Sequence, residues 1–184
     1  MKKVFLAICI VTVSTFSYAQ KGNNQIGVGA DVALPMGDFG DLAKFGFGGY
    51  AKFLYGIGEA GQITLTSGYT TYQSKTIVKD AFGADKVSYS IIPALAGYRH
   101  NFSGFYAEPQ VGYASIGSKI KGGLFDGSGS NGAFTWAVGF GYAKNGFEAG
   151  LRYQSTEDNG SIAIAALHIG YNFSLGGSSS SDKK

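Results

Sequence analysis

The sequence predicts an all-β protein, an eight-stranded antiparallel up-and-down transmembrane β-barrel. Three observations carry this reading. Eight segments alternate apolar and polar residues with a period of two, the pattern of a strand with two chemically different sides. The connections between them alternate long and short. Mean hydropathy is +0.04, and no stretch after the N-terminus reaches the ~20 apolar residues of a membrane helix. Near-neutral hydropathy in a membrane chain fits a barrel, where lipid-facing and lumen-facing positions cancel.

The first strand, Gln25 to Leu34, sets Ile26, Val28, Ala30, Val32 and Leu34 against Gly27, Gly29, Asp31 and Ala33, and Pro35-Met36-Gly37-Asp38 breaks it. The second, Phe45 to Tyr55, sets Phe47, Ala51, Phe53 and Tyr55 against Gly48, Tyr50 and Lys52. The third, Gln62 to Tyr72, sets Ile63, Leu65 and Tyr69 against Thr64, Thr66 and Thr70. The fourth, Ser88 to Arg99, is more uniformly apolar. The fifth, Phe105 to Ala114, sets Phe105, Val111 and Tyr113 against Tyr106, Glu108 and Gln110. The sixth, Ala133 to Tyr142, sets Phe134, Trp136, Val138, Phe140 and Tyr142 against Thr135, Ala137 and Gly139. The seventh, Phe147 to Gln154, sets Leu151 and Tyr153 against Glu148, Arg152 and Gln154. The eighth, Ile162 to Phe173, sets Leu167, Ile169, Tyr171 and Phe173 against Ala166, His168 and Asn172.

Proline donates no ladder hydrogen bond, and a closed barrel has no edge on which to hide one. Pro93 and Pro109 interrupt the fourth and fifth strands, and a β-bulge is expected near Pro93, where alternation fails. Residues 35–44, 73–87, 115–132 and 155–161 form the long connections; 56–61, 100–104 and 143–146 form the short ones. Short periplasmic turns and long external loops are the barrel pattern. Aromatics of the apolar face gather near the strand ends. Phe53, Tyr55, Tyr142, Tyr171 and Phe173 fall toward the short turns and Trp136 toward the loops, as girdles at two headgroup layers require.

The 184 residues fit one domain, and an aromatic content of 15% excludes a disordered tail. Residues 1–19 read as a signal peptide: Lys2 and Lys3 precede the apolar Val4 to Val13, and Ser17-Tyr18-Ala19 offers a cleavage site before Gln20. Residues 20–174 form the barrel domain and 175–184 a disordered polar tail. Cys9, the one cysteine, lies in the signal segment, so a mature chain without disulfide or lipid anchor is expected. A formal charge of +3, two units of it from Lys2 and Lys3, gives no footprint for nucleic acid.

The segments Ile92-Pro93-Ala94-Leu95-Ala96-Gly97-Tyr98-Arg99, Phe105-Tyr106-Ala107-Glu108-Pro109-Gln110-Val111-Gly112-Tyr113 and Leu167-His168-Ile169-Gly170-Tyr171-Asn172-Phe173 resemble the small outer-membrane β-barrel proteins. This is the porin-like group that includes the OmpA/OmpX-type barrels. The resemblance spans Gln25 to Phe173 and implies an outer-membrane location in a Gram-negative envelope, with insertion by the barrel assembly machinery. It says little about activity.

Eight strands leave a lumen that side chains fill. Asp31, Lys52, Glu108, Glu148, Arg152 and His168 fall on the inner face, with Tyr50, Tyr72 and Tyr106 beside them. Buried charges of both signs should pair. The sequence therefore predicts a structural or surface-interaction protein with a plugged lumen, a monomer in outer-membrane lipid whose long connections could meet an extracellular ligand. A narrow porin for small solutes is the alternative, and a soluble lipocalin-like carrier the third reading. No cofactor, metal site or enzymatic activity is expected. His100 lies in a short turn, His168 faces inward, and the glycine-rich Gly122 to Gly129 has no phosphate-binding lysine.

Overall fold

The computed structural model describes residues 24–57, 60–75, 86–121, 127–157 and 160–175; residues 1–19 and the tail from 176 onward lie outside them. The elements in chain order are β1 (Gln25–Met36), α1 (Gly37–Leu42), β2 (Ala43–Gly56), β3 (Gly61–Ser74), β4 (Lys86–Phe102), β5 (Phe105–Lys121), β6 (Gly127–Lys144), β7 (Phe147–Glu157) and β8 (Ser161–Ser174). Each strand pairs antiparallel with the next. β8 returns to β1 from Gln25↔Ser174 to Met36↔Ala163, so the sheet closes and no strand is left wholly unpaired on one side.

The period-two pattern turns this barrel inside out relative to a soluble protein. Ile169, Leu151, Phe140 and Phe147 are 60–71% exposed, whereas Thr64 and Thr135 are at 0% and Gln154 at 1%. A soluble carrier needs the reverse, an apolar cavity under a polar coat, and the lipocalin-like reading fails on that point. Where side chains are described, the outer strand faces carry charge only toward their ends, at Lys44, Lys119 and Glu157 near one and Lys144 near the other.

One end of the barrel is built from tight turns. Ser103-Gly104 and Asn145-Gly146 join their strands as two-residue hairpins, with φ of 52°, 100°, 54° and 86°. Two positive φ values in a row match the right-handed twist of the flanking strands, and asparagine and glycine accept them. The chain ends of the barrel meet here too, where Leu175 N–H donates to Asn24 O at 2.6 Å.

The opposite end differs from the expected loops. Residues 115–132 are mostly strand: β5 continues to Lys121, β6 begins at Gly127, and their backbones pair from Ser115↔Gly132 to Ile120↔Gly127. The glycines and serines there carry no alternation, yet their amides and carbonyls still complete a ladder. β4, β5 and β6 reach 17, 17 and 18 residues, beyond the ~9–11 that cross a bilayer, while β7 has 11. The rim is therefore tall on one side. Residues 35–44 are also not a plain loop, because β1 runs through Pro35 to Met36 and the chain then forms α1. The connection 73–87 shrinks as β3 extends to Ser74 and β4 starts at Lys86; residues 76–85 lie outside the described set.

No bulge forms at Pro93. The β3–β4 register is the same on both sides of it, Ser67↔Ala94 and Thr70↔Ile91, and β4–β5 likewise passes Pro109 unshifted, Gly97↔Gln110 and His100↔Ala107. Each proline interrupts pairing on one side only; Pro93 still pairs with Ala114, and Pro109 with Val138. Alternation is lost around Pro93 because the inner face is itself apolar there. Ile91 and Leu95 are buried at 2%, while Ile92 between them is 45% exposed. The register shift in this part of the sheet lies elsewhere, between Ala43 and Gly46 where β2 meets β3.

Candidate functional site: a charged lumen

The inward positions of all eight strands converge on one interior, and its chemistry sorts into layers. Nearest the hairpin end sits a four-member charge cluster. Lys52 Nζ donates to Glu108 Oε2 at 2.9 Å and to Glu148 Oε1 at 3.3 Å. Arg99 donates through Nε and Nη2 to Glu108 Oε2 at 3.0 and 2.8 Å, and through Nη1 to Glu148 Oε2 at 2.7 Å. The remaining acceptor sites are used as well. Glu108 Oε1 accepts from Thr64 and Gln110 at 2.8 Å each, and Glu148 Oε2 accepts from Asn172 at 2.9 Å. A buried carboxylate tolerates desolvation when its lone pairs are filled this way.

Three aromatic rings stand over this cluster. The Arg99 guanidinium stacks 3.8 Å from the centroid of Tyr106, and Lys52 Nζ lies 5.6 Å from the Tyr50 ring. Tyr106 Oη and His168 Nε2 share a hydrogen bond of 2.7 Å, and His168 meets the Tyr50 ring edge-on at 5.7 Å. Glycine makes room for these rings. A Cβ on Gly29 would lie 2.6 Å from the Tyr50 ring, and one on Gly150 would lie 2.7 Å from Tyr106 Oη.

Farther toward the loop end, Arg152 Nη2 donates to Asp31 Oδ2 at 3.2 Å, and Thr70 donates to Asp31 Oδ1 at 3.3 Å. Beyond that Ala33, Phe39, Ala43, Tyr72, Ile91, Ala114, Ile164 and Ala166 form one buried apolar cluster, beside the buried polar side chains of Thr135, Gln154 and Thr156.

The expected inner-face residues Asp31, Lys52, Glu108, Glu148, Arg152 and His168 are all buried. Their pairing divides into two groups. Glu148 and Arg152 share a strand face but serve different groups, because Arg152 turns to Asp31 while Glu148 joins Lys52 and Arg99. Arg99, only 1% exposed, was missing from the expected set. With it, three cations and three carboxylates are buried among the described residues: Lys52, Arg99 and Arg152 with Asp31, Glu108 and Glu148.

The arrangement closes the passage instead of lining it. From the hairpin end a polar recess of about 260 Å³, lined by Gln62, Arg99, Asn101, Lys144 and Asn172 among others, leads down to Arg99. No group of three or more His, Cys, Asp or Glu among the described residues is placed to hold a metal ion. On the outside, aromatic residues pair across strands, Phe105 with Tyr142 and Phe147 with Tyr171 at 5.0–5.1 Å toward the hairpins and Trp136 with Tyr153 at 5.6 Å toward the loops, while Tyr171 and Phe173 meet along β8 at 4.7 Å. Phe53 and Tyr55 stand on the same outer face of β2.

Fold and interior together define a small closed antiparallel barrel with an apolar outside and an ion-paired inside. The chain is similar in structure to Ail, the attachment invasion locus protein of Yersinia pestis, solved with the heparin analogue sucrose octasulfate. That match has a TM-score of 0.65 at 16% identity and covers 84% of this chain and all of that one. It is similar to the N-terminal β-barrel domain of Pseudomonas aeruginosa OprF (TM-score 0.59, 15% identity, 83% of this chain and 100% of that one). Neisserial surface protein A also matches (TM-score 0.56, 16% identity, 83% and 97%). No protein-family model and no curated protein sequence matches the chain.

Proposed function

We propose that this protein is an integral outer-membrane barrel of a Gram-negative envelope, a monomer with a sealed lumen and a structural or surface-interaction role. The observation that carries the reading is the pairing of two features. An outer face free of charge between its two ends surrounds an interior whose charges neutralise one another in contact. The apolar face is solvated by outer-membrane lipid, the hairpin end faces the periplasm, and the tall rim faces outward. Residues 1–19 direct export as a signal peptide, 20–174 are the barrel domain, and 175–184 are a polar tail. The barrel assembly machinery inserts the chain.

Contact with an extracellular ligand falls to the outward segments 35–44, 73–87, 115–132 and 155–161, because binding residues concentrate on segments held by a rigid scaffold. Two of the similar structures are an attachment invasion locus protein and a surface protein, which supports a surface role. No catalytic role is assigned to His168, whose Nε2 is committed to Tyr106 and Glu148 inside the plug. Membrane fractionation and planar-bilayer recording test the reading together. The protein is expected in the outer-membrane fraction, with heat-modifiable mobility and no steady conductance. Recovery as a soluble periplasmic protein, or a stable ion-selective current, overturns it.

A further inference from the structure

Two different kinds of chemistry close the lumen. The charge cluster blocks it toward the hairpin end, but the seal at the loop end is a segment of chain folded into the mouth. α1 has six residues, far too few to be stable alone, and its N-cap position makes no side-chain capping bond. What fastens it is Phe39. This ring, at the turn of a connection that leaves the barrel wall, is 6% exposed. It packs edge-on against Tyr72 at 5.3 Å and Tyr89 at 5.8 Å, within the apolar cluster that holds Ala33, Ile91 and Ala166.

Both ends of α1 carry a backbone irregularity. Gly37 adopts φ +57° in open space, and the β2–β3 register shifts just beyond α1, between Ala43 and Gly46. One backbone bond ties its last residue to the neighbouring strand end, Lys75 N–H to Leu42 O at 2.9 Å. Beside it lies a cleft of about 610 Å³ lined by Asp38, Phe39 and Leu42 together with Tyr89, Ile116 and Ile162 of the tall rim. The segment is thus held by one buried ring and one backbone bond to the neighbouring strand end, is irregular at both ends, and has a cleft beside it.

We propose that α1 is a hinged stopper, with Phe39 as its removable seal, and that it closes the lumen from outside independently of the ion pairs below. This inference rests on the sealed-lumen reading and deepens it. Opening the stopper exposes the upper lumen down to Asp31 and Arg152 without opening a conducting path, because the Lys52–Arg99–Glu108–Glu148 cluster still stands beneath.

The test is thiol accessibility in the full chain with Cys9→Ser, which leaves no cysteine. Ala166→Cys places a reporter under Phe39, and Ser130→Cys places one on the exposed rim that borders the cleft. A membrane-impermeant methanethiosulfonate is applied to the folded barrel in detergent micelles. With Phe39 present, the reporter at 166 is expected to react at least about tenfold more slowly than the one at 130. Phe39→Ala should raise the rate at 166 by about tenfold or more, since losing a buried ring removes most of what holds the closed state. Phe39→Leu should keep most of the protection, and the Phe39→Ala barrel should stay non-conducting. If Phe39→Ala fails to fold, Phe39→Val serves the same comparison. Equal rates at 166 and 130 with Phe39 in place, or an unchanged rate at 166 after truncation, overturn the stopper. Steady conductance in the unaltered protein instead overturns the sealed lumen, whatever the labelling shows.

Discussion

Asp31 and Arg152 lie 121 residues apart in sequence, yet they meet at 3.2 Å inside the barrel, joining β1 to β7 across the seam where β8 closes on β1. Lys52 and Glu148 make a second such link, from β2 to β7 at 3.3 Å. Neither pair joins strands that share a ladder. They hold strands from the two ends of the chain, β1 and β2 at one and β7 at the other, to one interior, and so reward only the closed arrangement.

Arg152→Ala should destabilise the barrel by ~3–5 kcal/mol, because it strands a buried carboxylate on Asp31. Adding Asp31→Asn should recover part of that loss. Urea unfolding of the refolded protein, followed by gel mobility, measures both. A fully additive double variant would mean that the two groups do not interact.

Arg99→Ala should cost more than Arg152→Ala. Arg99 serves two carboxylates through three nitrogens and stacks on Tyr106, whereas Arg152 makes one contact and its Nε has no hydrogen-bond partner. Arg99→Lys should not restore stability, since an ammonium cannot present the planar fork that reaches both Glu108 and Glu148. The order of the unfolding midpoints decides the point.

Neighbours on β6 should respond oppositely to substitution. Val138→Arg puts a charge on the apolar outer face, at a cost of ~2–4 kcal/mol at the membrane midplane, and should impair insertion. Ala137→Ser turns a small hydroxyl into the polar lumen, where Ala137 is 1% exposed, and should insert normally. Folded yield in lipid vesicles compares the two. Equal yields would contradict the assignment of faces.

Gly29→Ala should destabilise by ~1–3 kcal/mol through overpacking, because its added methyl group would press on the Tyr50 ring and on the Ile169 carbonyl. Gly49→Ala, on the outer face of the next strand, meets only Gly29 O at 3.4 Å and should be near neutral. The pair is best compared in one unfolding series.

How much of this was legible in the sequence depends on whether a position had a side chain able to show its face. β1, β2, β6, β7 and β8 alternate cleanly, and Asn145-Gly146 announces its turn, so strand number, closure and inner face could be read directly. Arg99 could not be read as a lumen residue while β4 looked uniformly apolar. Counting by twos from Ile91 through Pro93, Leu95 and Gly97 would have put it on the inner face, had the suspected bulge not reset the count. The upper strands of the tall rim are written in glycine and serine, which pair through the backbone without leaving a hydrophobic pattern. α1 is too short for any helical period, and nothing local marks Phe39 as buried, since its partners Tyr72 and Tyr89 come from distant strands.

The matching of three buried cations by three buried carboxylates also governs how the protein meets its surroundings. Because the interior contributes no net charge, what remains of the formal +3 once Lys2 and Lys3 leave with the signal segment, a single positive unit, resides on the connections, the rims and the tail. Dissolved ions reach those places and screen them within ~8 Å at physiological ionic strength, but they do not reach pairs enclosed in the wall. Salt should therefore tune what the outward rim attracts while leaving the barrel itself nearly unaffected, so that surface contacts and architecture answer to different solution conditions.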